Sequence, residues 1–192
     1  MFPAALTIAG SDPSGGAGIQ ADTKTFHQYG CYSCAVVTLV TVQNTVRLDR
    51  VEVLEADLVS AQLRAVLGDI GLRAAKTGAL GSAAVVEAVA DLLTDYPLPL
   101  VVDPVLASKR GAVLADDSAL RAMRERLLPL ALLVTPNLDE AEALSGRCVA
   151  DRQSIRDAAR AITDLGSEAV LVKGGHLPGD AVDTLYWQGK YL

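Results

Sequence analysis

Clustered basic charge is missing from this 192-residue chain, whose 17 lysines and arginines stand against 23 acidic residues for a formal charge of −6 and a pI near 4.9. Nucleic-acid backbones are bound by displacing counterions with Lys/Arg blocks, so no nucleic-acid partner is expected. Long apolar runs are missing too. The longest mainly apolar stretch, residues 127–134, already contains Pro129 and falls far below the roughly 18 residues that cross a bilayer. No membrane partner is expected. Neither a basic leader nor a small-residue cleavage site precedes the first apolar segment, so a cytoplasmic location is expected.

Cysteine is scarce and odd in number, with Cys31, Cys34 and Cys148, which points to reduced thiols. Cys31 and Cys34 form a CxxC with His27 four residues upstream. A thioredoxin-type pair opens a helix after a strand, whereas here a β-rich run follows; for zinc, only the distant Cys148 or His176 could complete a set. The pair reads as two small, partly buried residues where a helix ends at Gly30 and a strand begins.

What the chain does have is hydrophobic side chains, 51% of residues. That is enough for one well-buried core, so residues 1–192 are read as a single domain. Residues 4–9 read as a buried strand, 10–16 as a loop and 17–29 as a helix ended by Gly30. The nearly continuous apolar run 35–42 has the pattern of a strand covered on both faces. Helical spacing recurs in Leu58, Val59, Leu63, Val66 and Leu67, in Val85, Val86, Val89, Leu92 and Leu93, and in Leu120, Met123 and Leu127. Strand candidates lie at 72–76, 100–103, 132–135 and 169–173, the last after a helix from about 152 to 165. Such alternation gives βαβ units and a mostly parallel sheet with helices on both sides. Ligands of these sheets bind at the carboxyl ends of the strands, where function is to be sought.

After the first strand, Gly16, Gly18 and Ala21 satisfy G-x-G-x-x-A, but the second strand ends in Gln43-Asn44-Thr45, with no acidic residue for a ribose hydroxyl. A phosphate loop of the Gly-Lys-Ser/Thr type is absent as well. What remains is a loop whose glycines admit a ligand close to the backbone, followed by Asp22 one turn later. Gln43 and Asn44 close an apolar strand, and an amide offers the donor and acceptor that suit a nitrogen heterocycle. Further strand ends carry Lys76-Thr77-Gly78, Asp103-Pro104-Val105, Thr135-Pro136-Asn137 with Glu140 beyond, and Lys173-Gly174-Gly175-His176. Carboxylates at Asp103 and Glu140 with a lysine at Lys173 are the parts that hold Mg²⁺ and polyphosphate. Each also has a structural reading: Asp22 as a solvated helix residue, Lys173 as a salt-bridge partner, Asn137 as a helix cap.

The segment from Thr7 to Asp22 (TIAGSDPSGGAGIQAD), with Gln43-Asn44-Thr45, Lys76-Thr77-Gly78, Val102-Asp103-Pro104-Val105, Thr135-Pro136-Asn137 and Val172-Lys173-Gly174-Gly175-His176, resembles the hydroxymethylpyrimidine/phosphomethylpyrimidine kinases of thiamine biosynthesis. They belong to the ribokinase-like superfamily. The match is collinear from Ala4 to about Leu185. The resemblance implies an α/β fold, a three-layer α/β/α sandwich around a mostly parallel sheet. It implies ATP- and Mg²⁺-dependent phosphorylation of 4-amino-5-hydroxymethyl-2-methylpyrimidine and then of its monophosphate, by a homodimer. It puts the pyrimidine near Gly10, Asp22 and Gln43, with Ala79 and Val105 as pocket walls, and Ala79 replaces a larger Met of several relatives. It gives Lys173 and Asn137 to the ATP phosphates, and Asp103 and Glu140 to Mg²⁺ through water. Residues 107–111 correspond to a flap over the substrate, one residue shorter than usual.

The resemblance also implies that the family's Gly-rich anion hole and base follow the hairpin at 186–192 and so lie beyond Leu192. No catalytic base is therefore assigned, and the C-terminal part of the family domain is expected to be absent. Two other readings stay open. One is a pyridoxal kinase-like enzyme; the other, should 192 residues be the whole protein, is a catalytically silent pyrimidine-binding module.

Overall fold

The computed structural model describes residues 2–107, 114–175 and 182–192. Nine strands form one sheet in the order β3-β2-β1-β4-β5-β6-β7-β8-β9: β1 (Ala4–Ser11), β2 (Tyr32–Gln43), β3 (Leu48–Val53), β4 (Leu72–Thr77), β5 (Leu100–Val102), β6 (Leu133–Val134), β7 (Ala169–Val172), β8 (Thr184–Trp187) and β9 (Lys190–Tyr191). From β2 to β7 every pairing is parallel, while β3, β8 and β9 join antiparallel at the edges.

Among the described residues six α-helices connect the strands: α1 (Gly18–Gln28), α2 (Ala56–Leu67), α3 (Ala83–Asp95), α4 (Asp117–Ala122), α5 (Leu138–Ser145) and α6 (Arg152–Thr163). Right-handed crossovers send α1 to one face, because β1 to β2 runs leftward. After the antiparallel hairpin from β2 to β3, the connections carrying α2 through α6 lie on the other, because from β3 onward each step, to β4, β5, β6 and β7, runs rightward. The core lies on that second face. Leu6, Ile8, Val36, Leu100, Val102, Val134, Val170 and Val172 pack there against Val59, Leu63, Val86, Val89, Met123, Leu144, Ile155 and Ile162. The sandwich therefore has helices on both faces, unequally shared. Helix α1 buries no residue of its own, and Val101, Leu133 and Leu171, on its side of the sheet, are only half-buried.

Several expected boundaries change. The strand expected to be covered on both faces, β2, exposes Ala35, Val40 and Val42, because α1 lies over only part of it. Strand β3 escapes the periodicity reading: its sequence LDRVEV carries three charges, which suit an exposed sheet edge. Leu58 points outward at 51% exposure rather than joining the buried stripe of α2. The pattern through Leu120, Met123 and Leu127 is not one α-helix; it passes from α4 into a π-helical turn (Met123–Leu127) and a 3₁₀ turn (Leu128–Leu130), where Pro129 cannot continue an α-helical ladder. Helix α1 ends at Gln28, and Gly30 takes φ +72°, a left-handed value that closes the helix before Cys31 and β2. Cys34 is buried on β2, and burial pushes its thiol pKa up.

Candidate functional site

Chain direction reverses in the sheet at β1. The first crossover leaves β1 for β2 on one side, and α2 returns the chain to β4 on the other. The carboxyl ends of β1 and β4 therefore border a topological switch point, where open α/β sheets place their ligands. Hydrogen bonds continue past the strand ends and align the loops: Gly78 N donates to Ile8 O, Asp103 N to Thr77 O, Thr135 N to Val102 O and Lys173 N to Pro136 O. Residues far apart in sequence thus share one edge.

The loop after β1 is organised around Asp12, which is buried at 4% exposure. Its Oδ1 accepts from Ser14 N at 2.8 Å and Ser14 Oγ at 2.7 Å. Burial would raise its carboxyl pKa, but the Ser14 hydroxyl and the amides of Ser14, Ala17 and Gly16 outweigh that and hold it below the ordinary 3.8. The Ser14 amide, which in a loop of this kind could face a phosphate, is turned onto the chain's own carboxylate here. Gln20 completes the loop, accepting from Asp12 N at 2.9 Å and donating to Ser11 Oγ at 2.7 Å. Gly18 is demanded by the backbone itself: φ is +57° and a Cβ would collide with the Gly10 carbonyl.

Two clusters lie at the sheet edge. In the first, α1 presents Asp22 to β1 and β4. Thr7 Oγ1 donates to Asp22 Oδ2 at 2.6 Å, and Lys76 Nζ donates to Oδ1 at 3.0 Å and Oδ2 at 2.9 Å. Gly10 lies at the end of β1, buried, with Leu39 so close that a Cβ would meet its Cδ1 at 2.5 Å. Ala79 is half-buried on the loop after β4 and its carbonyl accepts from Thr38 Oγ1 at 2.6 Å. Gln43 ends β2 half-buried, and its amide makes no hydrogen bond among the described residues. Asn44, grouped with it on sequence, is exposed and accepts from Val46 N and Arg47 N at 2.8 Å each, so it shapes the turn into β3.

The second cluster joins the ends of β5, β6 and β7. Lys173 Nζ donates to Asp103 Oδ1 at 2.9 Å, and Thr135 Oγ1 donates to the same oxygen at 3.3 Å. Asn137 caps α5 in a reciprocal box: Glu140 N donates to Asn137 Oδ1 and Asn137 N to Glu140 Oε2, both at 2.8 Å. Asn137 thus has the capping role, while its side-chain NH₂ has no partner among the described residues. Glu140 is buried at 6% exposure. Burial, chiefly, raises its pKa above 4.5; the Asn137 amide, Lys173 and the Leu106 amide pull it down, and the Asp103 charge adds to the rise. Val105 follows, half-buried, with its N–H turned back to Asp103 O at 2.9 Å. His176 and residues 108–111 of the expected flap lie outside the described residues.

A divalent cation fits the second cluster. Both bonds to Asp103 use Oδ1, leaving Oδ2 without a described partner, and Glu140 lies close enough to feel its charge. Among the described residues no three His, Cys, Asp or Glu side chains form a metal-binding group. Asp103 Oδ2 and the Glu140 carboxylate are oxygen donors of the kind Mg²⁺ takes one or two of, beside several waters and substrate phosphates.

Thr7, Lys76 and Thr135 stand in the motifs read from sequence, but without a partner: Thr7 and Lys76 hold Asp22, and Thr135 bonds Asp103. A signal was available, since a lysine within LRAAKT, a strand at the middle of a sheet, is costly without an opposite charge.

The chain is 50% identical over 183 residues to a hydroxymethylpyrimidine/phosphomethylpyrimidine kinase of Streptomyces coelicolor, an alignment covering 95% of this chain and 68% of that protein. A crystal structure of a phosphomethylpyrimidine kinase from Clostridium difficile 630 superposes with a TM-score of 0.92 at 41% identity, covering all of this chain and 83% of the other. The Bacillus subtilis pyridoxal kinase in its ADP complex superposes with a TM-score of 0.91 at 36% identity, covering all of this chain and 73% of that one. Residues 12–192 match the phosphomethylpyrimidine kinase family, a span that takes in Asp22, both lysine–aspartate pairs and the capped Glu140. On fold, on collinear sequence and on the residues gathered at the sheet edge, the chain belongs to the phosphomethylpyrimidine kinase family of ribokinase-like kinases.

Proposed function

We propose that the chain transfers the γ-phosphoryl group of Mg²⁺-ATP to the hydroxymethyl group of 4-amino-5-hydroxymethyl-2-methylpyrimidine, and then a second phosphoryl group to the monophosphate, supplying thiamine biosynthesis. The observation that carries this reading is the adjacency of Lys173, Asp103 and Glu140 at the same sheet edge as Asp22 and Gln43. Phosphoryl transfer needs little covalent help from the protein; it needs positioning and charge. In this reading Lys173 leaves Asp103 for the ATP phosphates and Asn137 donates to the same group through its side-chain NH₂. Asp103 and Glu140 would hold Mg²⁺ through water, and the chemistry a bound ion would supply there is neutralisation of phosphate charge. Asp22 and Gln43 read the ring, against Gly10, with Ala79 and Val105 as walls.

The second reading is a pyridoxal kinase-like activity, favoured by the similarity to the Bacillus subtilis enzyme and by the small Ala79. Both substrates are hydroxymethyl heterocycles, so acceptance of the pyrimidine monophosphate separates them. A homodimer in the cytoplasm completes the proposal. Among the described residues no helix is long and apolar enough to cross a membrane. The experiment is a coupled ADP-release assay with Mg²⁺-ATP and, in turn, the pyrimidine, its monophosphate and pyridoxal. Turnover of both pyrimidines, with pyridoxal slower, supports the proposal; turnover of pyridoxal alone moves the assignment to the second reading. Binding of pyrimidine with no ADP formed leaves a binding module.

A further inference from the structure

Asp22 and Lys76 meet at the switch point between β1 and β4, and the role proposed here for their pairing rests on the reading of that site as a pyrimidine pocket. A carboxylate offers about four lone-pair positions. Three of those on Asp22 are taken, two by the Lys76 ammonium at 3.0 and 2.9 Å and one by the Thr7 hydroxyl at 2.6 Å. One acceptor position remains. Neither partner is a loose surface group: the Lys76 and Asp22 side chains are 23% and 17% exposed, and Thr7 is wholly buried. The ammonium also reaches the strand end, since a Cβ on Gly78 would lie 3.3 Å from Lys76 Nζ.

Stability alone does not account for such a pair. Covered ion pairs contribute little net stability beside apolar side chains of similar shape, and on the same face of the sheet Ala9 of β1, two residues beyond Thr7, and Val101 of β5, which pairs with Lys76, are apolar. What the pair does is fix orientation, because a carboxylate gripped on both oxygens from two strands cannot turn. We propose that Lys76 is a positioning residue that, with Thr7, locks Asp22 as a single-site hydrogen-bond acceptor and so makes the pocket select a heterocycle with an exocyclic amino group over one with an oxo group at that position. An amino N–H fills the remaining lone pair. An oxo oxygen sets two acceptors face to face with no proton between them, the kind of mismatch that sites built on hydrogen bonds reject strongly. With Lys76 replaced by an apolar residue, water enters the vacated positions; since water both donates and accepts, it bridges to either group.

The test is isothermal titration of the chain with 4-amino-5-hydroxymethyl-2-methylpyrimidine and with its 4-oxo counterpart, using the wild type and Lys76→Met, Lys76→Arg and Thr7→Val. The wild type is expected to prefer the amino compound by ~100-fold or more. Lys76→Met is expected to lose at least ~10-fold of that preference, and Lys76→Arg to keep most of it. A structural role alone moves melting temperature and both affinities together and leaves their ratio intact, so an unchanged ratio in folded Lys76→Met overturns the inference. Should Lys76→Met fail to fold, Thr7→Val, which removes a single donor, must still lower the ratio, and an unchanged ratio there overturns it equally. Wild-type protein that binds neither compound overturns the pyrimidine pocket itself, and this inference with it.

Discussion

Lys173 and Asp103, 70 positions apart in sequence, meet at 2.9 Å across the ends of β7 and β5. Neither side chain is sealed, with 42% and 26% exposed. A pair of this kind is weakly held, so in the proposed function phosphate draws the lysine away and leaves Asp103 to a hydrated cation. Replacing Lys173 by Met is expected to lower kcat/KM by about 10²–10³-fold, the scale of losing one preorganised charge from a phosphoryl-transfer site. Asp103→Asn is expected to do similar damage, and the double variant to be far less than additive because the two act on the same group. Steady-state ADP-release kinetics on the four proteins check this.

Glu140 makes stability depend on pH in a defined direction. Its folded pKa is raised above 4.5, first by burial. The folded state therefore binds the proton more tightly than the unfolded one, and stability falls as pH rises from 4.5 through the folded value. Thermal melts are expected to show this decline in the wild type and to lose that component in Glu140→Gln.

Asp12 gives the opposite sign. Its pKa is held below 3.8 by donors that outweigh burial, so its contribution is full above 3.8 and lost as pH falls through the lower, folded value. Asp12→Ala strips the partner from the Ser14 amide and hydroxyl, at a cost of about 1–3 kcal/mol. Gly18→Ala is expected to cost about 1–2 kcal/mol from its left-handed backbone alone, and more from the collision with Gly10. Gly71→Ala, with nothing within 4 Å of its Cβ, serves as the control and should barely shift the melting temperature.

Gln43 separates binding from stability. Its side chain has no hydrogen bond among the described residues, so Gln43→Ala is expected to leave the unfolding free energy within about 1 kcal/mol of wild type. Pyrimidine affinity should drop by about tenfold or more, the loss of one to two neutral hydrogen bonds. Calorimetry and thermal melts on the same preparation check both halves.

How much was legible in the sequence depends on the kind of signal. Strands such as β1 and β7 and the helix caps at Asn137 and Gly30 announce themselves, because apolar runs and capping chemistry are local. Strand β3 does not, since Asp49, Arg50 and Glu52 pattern as a solvated loop unless the neighbouring strand is known. The site divides the same way. Asp103, Glu140 and Lys173 were visible as polar residues at strand ends, but their pairing depends on the order β5-β6-β7, which sequence gives only as a topology class. The loop organised around Asp12 was hidden by a familiar glycine pattern: Gly16 and Gly18 read as room for a ligand, whereas Gly18 answers to Gly10 and the Ser14 amide and hydroxyl answer to Asp12.

Transfer of a phosphoryl group to the hydroxymethyl pyrimidine is followed atom by atom by phosphorus NMR. Protein incubated with Mg²⁺-ATP and the pyrimidine is expected to show the γ-phosphorus signal giving way first to a phosphate monoester and then to a diphosphate, with ADP rising in step. Signals of inorganic phosphate and ADP alone, or an unchanged ATP spectrum in the presence of bound pyrimidine, would contradict the account.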